Sequence, residues 1–536
     1  MATATETGGM FLRKATGLVR EVSTLDAIVL NSAGMNVGVG VGLLFIWAPY
    51  LLTGGSILLA VLFCTLGIAL TTAYNYAVAA GAFPRSGADY VFSSRVLGPV
   101  WGFMMSGSQV LWNFFWMAFN AWAVANFALP GTLTALGQLT NNPGLIDLAG
   151  RIATPATVVI IAIVLQILFT LLHIMGIKAY FIYLKIAFGI AILSIFVGIL
   201  VLIFRGSNFV ESWNGFVSSA GMGLSYDKVI ETAVADGFNP DQPFSLSKTL
   251  AMMPLVFWIV GFFNGSPQIG GEVKRARSTQ FIAQVVAVMI NGAIVALLAI
   301  MVNALIGGKF LACLGYLFYA KPDLLNMGVT PDFNFMISVL SRSAPVIGLM
   351  GLGYLFWAIN GTPNIIALVT RSLLAYSFDR MAPEWVGDVS EKYHTPVKAI
   401  IFTAVMGLVA VAVIVFVKQA SLLSSMMAQM FTYLVMAVAA ILFPYKFPKL
   451  WESSTSARKV FGIPLLTITG VGSLLVIGLM SYYFGFYSMF GANTPLSLTV
   501  VAISIILCAI YYYAFRAYQK GKGIDVDLAY KEIPPE

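Results

Sequence analysis

Twelve apolar runs, each long enough to cross a bilayer as a helix, dominate the chain and limit the folds that it can adopt. A helix needs about 20 consecutive apolar residues to cross the hydrocarbon core of a membrane. Of the 536 residues, 59% are hydrophobic and only 10% are charged. A soluble domain carries roughly 25% charged residues. The composition therefore excludes a soluble globular protein and predicts an all-α polytopic membrane protein with twelve transmembrane helices.

The distribution of basic residues tests this count, because Lys and Arg concentrate in cytoplasmic loops. With the N-terminus in the cytoplasm, most of the 30 Lys and Arg residues fall in segments on that side. The pattern predicts an even number of spans and two cytoplasmic termini. The predicted spans lie near residues 27–50, 55–82, 97–129, 154–174, 177–204, 249–270, 279–306, 344–375, 397–417, 421–443, 463–488 and 496–517.

The spans also predict how the chain is organised. Helices 1–5 (residues 27–204) and helices 6–10 (residues 249–443) form two sets of similar length. Because five is odd, the second set enters the membrane from the opposite side, which predicts an inverted repeat. The other predicted segments are a cytoplasmic N-terminal segment (1–26), an extracellular loop (205–248), helices 11 and 12 (444–517) and a mobile cytoplasmic tail (518–536).

Glycines interrupt the first and the sixth predicted spans, at residues 38–42 and at residues 261–265. Glycine disfavours helix by about 1 kcal/mol relative to alanine. In lipid, the backbone groups freed by a broken helix must be satisfied by protein, ion or ligand. Breaks at matching places in two halves therefore predict a binding site at mid-membrane. The alternative is that these glycines only let helices pack closely.

The chemistry of two such breaks suits a zwitterion. Free N–H groups at the first break, beside the positive end of a half-helix, suit a carboxylate. Free carbonyl groups of Phe257 and Val260 at the second break suit an ammonium group. The predicted substrate-binding residues are Asn36, Gly38, Val39, Gly40, Phe257, Val260, Gly261 and Asn264, with Gln109, Asn113, Trp258 and Trp357 as further candidates. For the polar ones, the alternative is a hydrogen bond between helices.

Three motifs on the predicted cytoplasmic side resemble those of the amino acid–polyamine–organocation (APC) permeases. They are Phe83-Pro84-Arg85-Ser86-Gly87-Ala88-Asp89-Tyr90, Gly271-Glu272-Val273-Lys274, and Arg371-Ser372-Leu373-Leu374-Ala375-Tyr376 followed by His394-Thr395-Pro396. The resemblance covers helices 1–10. It implies a LeuT-type 5+5 inverted repeat with two extra helices, secondary transport of amino acids or amines, and an aromatic lid at Phe257. Phe263 stands where some arginine and polyamine carriers of the family have an acidic residue, which argues against a cationic substrate.

Lys185 is the only ionisable residue predicted well inside a span, where a charge costs several kcal/mol. It resembles a helix-5 lysine of proton-linked relatives that occupies the sodium site of sodium-coupled ones. In that interpretation Asn360 and Thr362 of helix 8 face it and complete a coupling-ion site. Lys178, on the same helical face, is the rival assignment. The alternative is a lysine that extends to the cytoplasmic surface.

Four charged residues, Arg85, Asp89, Glu272 and Arg371, are predicted on the cytoplasmic side. Ion pairs among them would hold an inner gate shut in the outward-facing state. The alternative is that they are solvated charges that follow the topology. The two histidines, His173 and His394, are predicted to be surface residues.

The sequence contains no nucleotide-binding loop and suggests no catalytic triad or metal cluster. It therefore predicts a protein that is not an enzyme, needs no cofactor and binds no nucleic acid. The predicted function is secondary active transport of neutral or apolar amino acids across the plasma membrane, with proton coupling or exchange. The alternatives are a sodium-coupled symporter, an amine exchanger, and a non-transporting amino acid sensor.

Overall fold

The computed structural model describes residues 20–416, 424–452, 454, 457–487 and 494–531. Parts of four predicted segments lie outside the described residues. These are most of the N-terminal segment, the junction of helices 9 and 10, the junction of helices 11 and 12, and the last residues of the tail.

The first half of the chain is almost entirely helical. Its helices are α1 (Thr24–Gly34), α2 (Val37–Leu51), α3 (Ile57–Gly67), α4 (Tyr74–Ala82), α5 (Ala88–Val96), α6 (Pro99–Ala123), α7 (Leu129–Leu139), α8 (Pro143–Ile152), α9 (Pro155–Ile174), α10 (Ile177–Arg205), α11 (Phe209–Ala220) and α12 (Tyr226–Ala235). The π-helical turns Ile68–Ala73 and Val124–Ala128 join α3 to α4 and α6 to α7, and the 3₁₀ turn Gly206–Asn208 follows α10.

The second half has the same character. Its helices are α13 (Leu246–Ala251), α14 (Met253–Val260), α15 (Gly265–Gln268), α16 (Ala276–Phe281), α17 (Ala287–Val302), α18 (Gly308–Ala320), α19 (Pro322–Leu325), α20 (Phe333–Ser341), α21 (Ala344–Ile359), α22 (Gly361–Phe378), α23 (Val397–Phe416), α24 (Ser424–Lys446), α25 (Pro448–Glu452), α26 (Leu465–Phe486), α27 (Pro495–Gly521) and α28 (Val526–Ala529). Turns at Gly270–Glu272, Ile282–Val286, Asn303–Gly307 and Glu384–Gly387 and one antiparallel hairpin, β1 (Lys459–Val460) with β2 (Ile463–Pro464), complete this half.

Ten helices of the described chain are long and apolar enough to cross a membrane. The predicted sixth span corresponds to the shorter apolar helix Leu246–Val260. The predicted third span corresponds to α6, whose amide side chains lower its hydropathy. These helices confirm the prediction of an all-α polytopic membrane protein.

The interrupted spans lie at the centre of the helix bundle, surrounded first by neighbouring helices and then by outer helices. The α1 helix packs against α10, α15 and α22, and α2 packs against α14, α18 and α21. The outer helices α9, α10 and α27 expose large apolar side chains, among them Ile167, Phe196 and Ile506. Apolar surface of this extent is stable when lipid covers it. The broken helices are therefore shielded from lipid by their neighbours.

The described part of the tail is docked on the protein, which corrects the prediction of a mobile segment. Val526 and Tyr530 are 2% and 8% exposed. The Tyr530 hydroxyl lies 2.9 Å from the Tyr90 hydroxyl, and the Arg95 guanidinium lies 5.0 Å from the centre of the Tyr530 ring. The tail is rich in charged residues, so its sequence did not indicate that Val526 and Tyr530 would be buried.

Candidate binding cavity

A cavity lies where the two interrupted spans meet, and α6, α22 and α24 complete its wall. It thus occupies the place where the sequence predicts a binding site. Its lining residues are Leu30, Gly34, Asn36, Val39, Gly40, Gln109, Asn113, Trp116, Phe119, Asn120, Trp258, Phe262, Asn264, Gly265, Gly361, Asn364, Ile365, Leu368 and Gln429. Every lining side chain is uncharged, and the polar groups come from five asparagines and two glutamines.

The first span breaks at Met35 and Asn36, not at residues 38–42, which corrects the prediction. Asn36 adopts the left-handed conformation, with φ 45° and ψ 55°. Its side-chain oxygen accepts a hydrogen bond from the N–H of Val39 at 3.3 Å. Asparagine tolerates this conformation better than most residues and is a good helix N-cap. The break is therefore made by an asparagine, and the cavity is lined by Gly34, Asn36 and Val39 around it.

The glycines that follow Asn36 are helical and serve close packing. A Cβ atom at Gly38 would lie 2.1 Å from the Trp357 ring, and one at Gly42 would lie 2.7 Å from the Tyr354 hydroxyl oxygen. Both aromatic residues are on α21. Gly38 is consequently not a lining residue, and the packing alternative holds for it.

Replacing Gly38 with alanine is expected to destabilise the protein by about 1–3 kcal/mol, because the new methyl group would overlap the Trp357 ring. The melting temperature of the detergent-solubilised protein measures the effect. Gly189 on α10 is the matched control, since nothing lies within 4 Å of its Cβ position. Gly189→Ala is expected to be neutral or to stabilise by up to about 1 kcal/mol. Equal melting temperatures for Gly38→Ala and the wild type would contradict the packing role.

The second break is where the sequence predicts it, because α14 ends at Val260 and α15 begins at Gly265. The carbonyl of Phe257 is nevertheless not free, since it accepts a hydrogen bond from the N–H of Gly261 at 2.7 Å. The Tyr433 hydroxyl donates to the carbonyl of Gly261. Val260 and Gly261 are buried beside the cavity and do not line it. The cavity wall at this break is formed by Phe262, Asn264 and Gly265 instead.

Trp258, and not Phe257, faces the cavity. Phe257 is 0% exposed and packs its ring 5.8 Å from that of Tyr433. The ring of Trp258 lies 5.6 Å from Phe119 and 6.2 Å from Trp116, which line the opposite wall. Adjacent helical residues point about 100° apart, so packing decides which aromatic side chain reaches the cavity.

Two other aromatic residues from the sequence analysis lie away from the cavity. Trp357 is fully buried and donates from its indole nitrogen to the carbonyl of Ala191 at 3.0 Å. Phe263 is fully buried between Tyr76 and Tyr433, with ring centroids 5.7 and 5.4 Å away. Phe263 therefore supports the wall from behind.

Three lining amides were not among the predicted residues: Asn120, Asn364 and Gln429. The oxygen of Asn364 accepts from the Tyr180 hydroxyl at 2.5 Å, while its NH₂ group is buried without a hydrogen bond. The oxygen of Gln429 accepts from Gln109 at 3.0 Å. The signal was present in the sequence, because an amide inside an apolar span is costly unless it is paired or functional.

Lys185 is not close to the residues predicted to complete its site. Its Nζ lies 3.0 Å from Asp26 Oδ1 at the start of α1, and its side chain is 42% exposed. Asn360 accepts from the Tyr183 hydroxyl at 2.9 Å, and Thr362 accepts from Asn120 at 3.2 Å. Lys185 lies apart from these residues because of the helical phase of α10. Tyr180 and Tyr183 of this helix face the start of α22, whereas Lys185 faces α1. The rival residue Lys178 is exposed.

A buried ion pair joins Glu272 to Arg371, two of the four predicted gate residues. Arg371 donates to the Glu272 carboxylate at 2.8 and 3.3 Å, and the side chains are 1% and 2% exposed. Asp89 is buried nearby and takes part in no ion pair within the described ranges. Arg85 is half-buried and donates to the carbonyl of Pro84 at 3.1 Å.

Backbone hydrogen bonds beside this ion pair join the chain before α1 and the chain before α5 to the segment that follows the second break. Val22 donates to the carbonyl of Glu272 at 3.0 Å and accepts from Lys274 at 2.9 Å. Gly87 donates to the carbonyl of Gln268 at 2.8 Å. The Asn31 oxygen accepts from the backbone N–H of Ser266 at 2.8 Å, which ties α1 to α15. The inner halves of both interrupted spans are therefore bound to one another.

His173 is buried, which corrects its predicted surface position. It is 3% exposed, and its Nδ1 lies 2.8 Å from the carbonyl oxygen of Phe169 one turn earlier. Its ring centroid lies 4.6 Å from that of Tyr180. The end of α9 is thus covered by α10. His394 is exposed, as predicted.

Two spans are thus broken side by side around an uncharged cavity within a helical membrane protein. The sequence profile of the amino acid permease family matches residues 22–511. The chain therefore belongs to the amino acid permeases of the APC superfamily, and it is an integral membrane protein. No individually curated protein matches it in sequence.

Proposed function

We propose that this permease is a secondary active transporter of neutral amino acids that works by alternating access in the plasma membrane, with both termini in the cytoplasm. The observation that carries the proposal is the uncharged, amide-lined cavity between the two broken spans. The family supports an amino acid as the substrate. The uncharged lining of the cavity supports a neutral amino acid over a charged one.

The backbone at the breaks supports recognition of the zwitterion. The first N–H groups of α2 have no acceptor within that helix, and they carry the positive end of its dipole. The last carbonyl groups of α14 provide the complementary negative end. Gly34, Asn36 and Phe262 line the cavity between these two helix ends. An α-carboxylate and an α-ammonium group on one carbon match this pair of ends.

The side chains support a neutral substrate. No Asp, Glu, Lys or Arg lines the described cavity, so a charged substrate side chain would lie there without a partner. An unpaired charge in such a site is costly. Amides bind polar side chains, and Trp116, Phe119, Trp258 and Phe262 provide apolar contact. We therefore place Asn36, Val39, Gly40, Trp258 and Asn264 in contact with substrate.

The coupling mechanism that the contacts support is proton coupling or exchange, with sodium as the alternative. A hard cation requires several oxygen ligands. The side-chain oxygens of Asn360 and Asn364 already accept hydrogen bonds from Tyr183 and Tyr180, and their NH₂ groups are buried without partners. This arrangement disfavours sodium beside α22.

The inner gate that we propose is the ion pair of Glu272 and Arg371 with the backbone bonds around Val22. These contacts hold the inner halves of the interrupted spans together. Alternating access requires contacts that form in one state and break in the other.

Uptake of labelled amino acids into liposomes that contain the purified protein tests the function. An inside-alkaline pH gradient, with and without sodium, is the variable. Saturable, concentrative uptake of neutral amino acids without sodium is expected. Uptake that requires sodium would contradict proton coupling, and counterflow alone would indicate an exchanger. Binding without any transport would favour the amino acid sensor, and transport of amines alone would contradict the proposed substrate.

A further inference from the structure

Asp89 is a buried carboxylate that has no basic partner in the described part of the chain. It is 1% exposed, and its Oδ1 accepts a hydrogen bond from the N–H of Tyr90 at 2.8 Å. Its Oδ2 faces the Tyr76 hydroxyl and the Gln268 amide without a hydrogen bond of ordinary geometry. A buried polar atom without a partner is costly and calls for a functional explanation. The ion-paired gate does not provide one, because Arg371 pairs with Glu272.

Tyr76 links Asp89 to the cavity. Tyr76 lies close to both Asp89 and Asn264, a lining residue, and its hydroxyl is buried without a hydrogen bond. Tyr76 is 1% exposed, and its ring packs edge-on against Tyr433 at 5.3 Å. A hydroxyl group both donates and accepts hydrogen bonds, and rotation of its O–H bond turns it from one neighbour to the other. Tyr76 therefore lies between Asp89 and the cavity wall.

The groups that surround Asp89 are neutral or already paired. The titratable or polar side chains that face it from the packed elements are Tyr76 of α4, Gln268 of α15, Tyr376 of α22 and Tyr433 of α24. Arg371 pairs with Glu272, Arg95 pairs with Asp379, and Arg85 donates to the carbonyl of Pro84. None of these three arginines forms an ion pair with Asp89 in the described part of the chain.

Two opposing effects set the ionisation of Asp89. Its position in the first turn of α5 favours the carboxylate. Burial favours the neutral acid and raises the pKa of Asp89 to about 6. Below about pH 6 the covered group is mostly the neutral acid, and contact with water lowers its pKa and favours release of the proton.

We propose that Asp89 binds the proton that drives transport, and this proposal rests on the transport function proposed above. In the described state, the bonds between residues 86–87 and residues 268–269 cover the carboxyl group. When these segments separate, water reaches Asp89 and the O–H bond breaks heterolytically. The proton passes to cytoplasmic water, and the electron pair stays on the carboxylate at the first turn of α5. A proton that enters through the cavity and Tyr76 restores the acid.

Proteoliposomes containing wild type, Asp89→Asn or Asp89→Glu test the proposal. A gradient of one pH unit supports about tenfold accumulation per coupled proton. Asp89→Asn is expected to lose this accumulation and to keep counterflow exchange, because the amide resembles the neutral acid. Asp89→Glu is expected to keep part of the accumulation. Asp388→Asn, which removes an exposed carboxylate, is the matched control and is expected to behave as wild type.

Accumulation by Asp89→Asn equal to that of wild type would overturn the proposal, and loss of accumulation in Lys185→Ala alone would assign coupling to Lys185. A second measurement does not need transport. Burial raises the pKa of both Asp89 and Asp332 to about 6, so two protonated carboxyl groups are expected to titrate near pH 6 in the infrared spectrum of wild type. The Asp89 band is expected to be absent in Asp89→Asn, and an identical pH-dependent difference spectrum in the two proteins would also overturn the proposal. Absence of transport in wild type, with this band intact, would contradict the transport function and leave the proton site supported.

Discussion

Replacing Glu272 with alanine is expected to lower the free energy of unfolding by about 3–5 kcal/mol, because Arg371 would remain buried as an unpaired charge. The two side chains are 2% and 1% exposed, and two hydrogen bonds of 2.8 and 3.3 Å join them. The melting temperature and the yield of monodisperse protein in detergent measure the loss.

The double variant Glu272→Leu/Arg371→Leu separates stability from gating. It leaves no buried charge, so much of the lost stability is expected to return. The ion pair of the proposed inner gate is still missing, so the population of transporter molecules is expected to shift toward the inward-facing state. Glu231→Gln is the control, since its pair with Lys228 is exposed and contributes little to stability. A double variant as unstable as the single one, or with unchanged inward- and outward-facing populations, would count against the gate.

Replacing Asn264 with aspartate is expected to lower kcat/KM for a neutral amino acid about 100-fold. Asn264 is 3% exposed in a cavity whose described lining contains no basic residue. A carboxylate there has the Tyr433 hydroxyl beside it but no basic partner, and a penalty of about 3 kcal/mol corresponds to roughly two factors of ten in rate. The initial rate of uptake across a range of substrate concentrations measures the change.

Two further variants separate the effect of the added charge from the effects of losing the amide and of adding a charge elsewhere. Asn264→Leu removes the amide without adding charge and is expected to cost up to about tenfold, the value of one hydrogen bond. Asn239→Asp adds a carboxylate at an exposed position between α12 and α13, outside the cavity, and is expected to leave uptake unchanged. Wild-type kinetics in Asn264→Asp would show that substrate does not bind in this cavity.

Much of the cavity lining was predictable, because polar residues stand out in an apolar chain. Asn36, Gln109, Asn113 and Asn264 were all identified from the sequence, and all of them line the cavity. The same reasoning applied to every amide in a span would have added Asn120, Asn364 and Gln429. The second break was also predicted correctly, since Gly261 and Gly265 bracket the residues that leave the helix.

The residues that were misplaced depended on partners far away in the chain. A glycine allows either a broken helix or a close contact between helices. At Gly38 and Gly42 the role is close contact, because Trp357 and Tyr354 of α21 pack against them. Phe257 and Trp258 are adjacent and similar, so only the packing around α14 selects Trp258. The partner of Lys185 is Asp26, which lies just before the first predicted span.

The sequence by itself determined that the chain is a helical membrane protein, where most of its spans lie and that it resembles the permease family. These properties follow from hydropathy, charge bias and local motifs, each of which is read within a short window of residues. The tertiary structure decided which side chains face the cavity, that Glu272 pairs with Arg371, and that Asp89 is buried without a basic partner. These contacts depend on the rotation of each helix about its axis and on residues far apart in the chain. A short window of sequence gives no information on either.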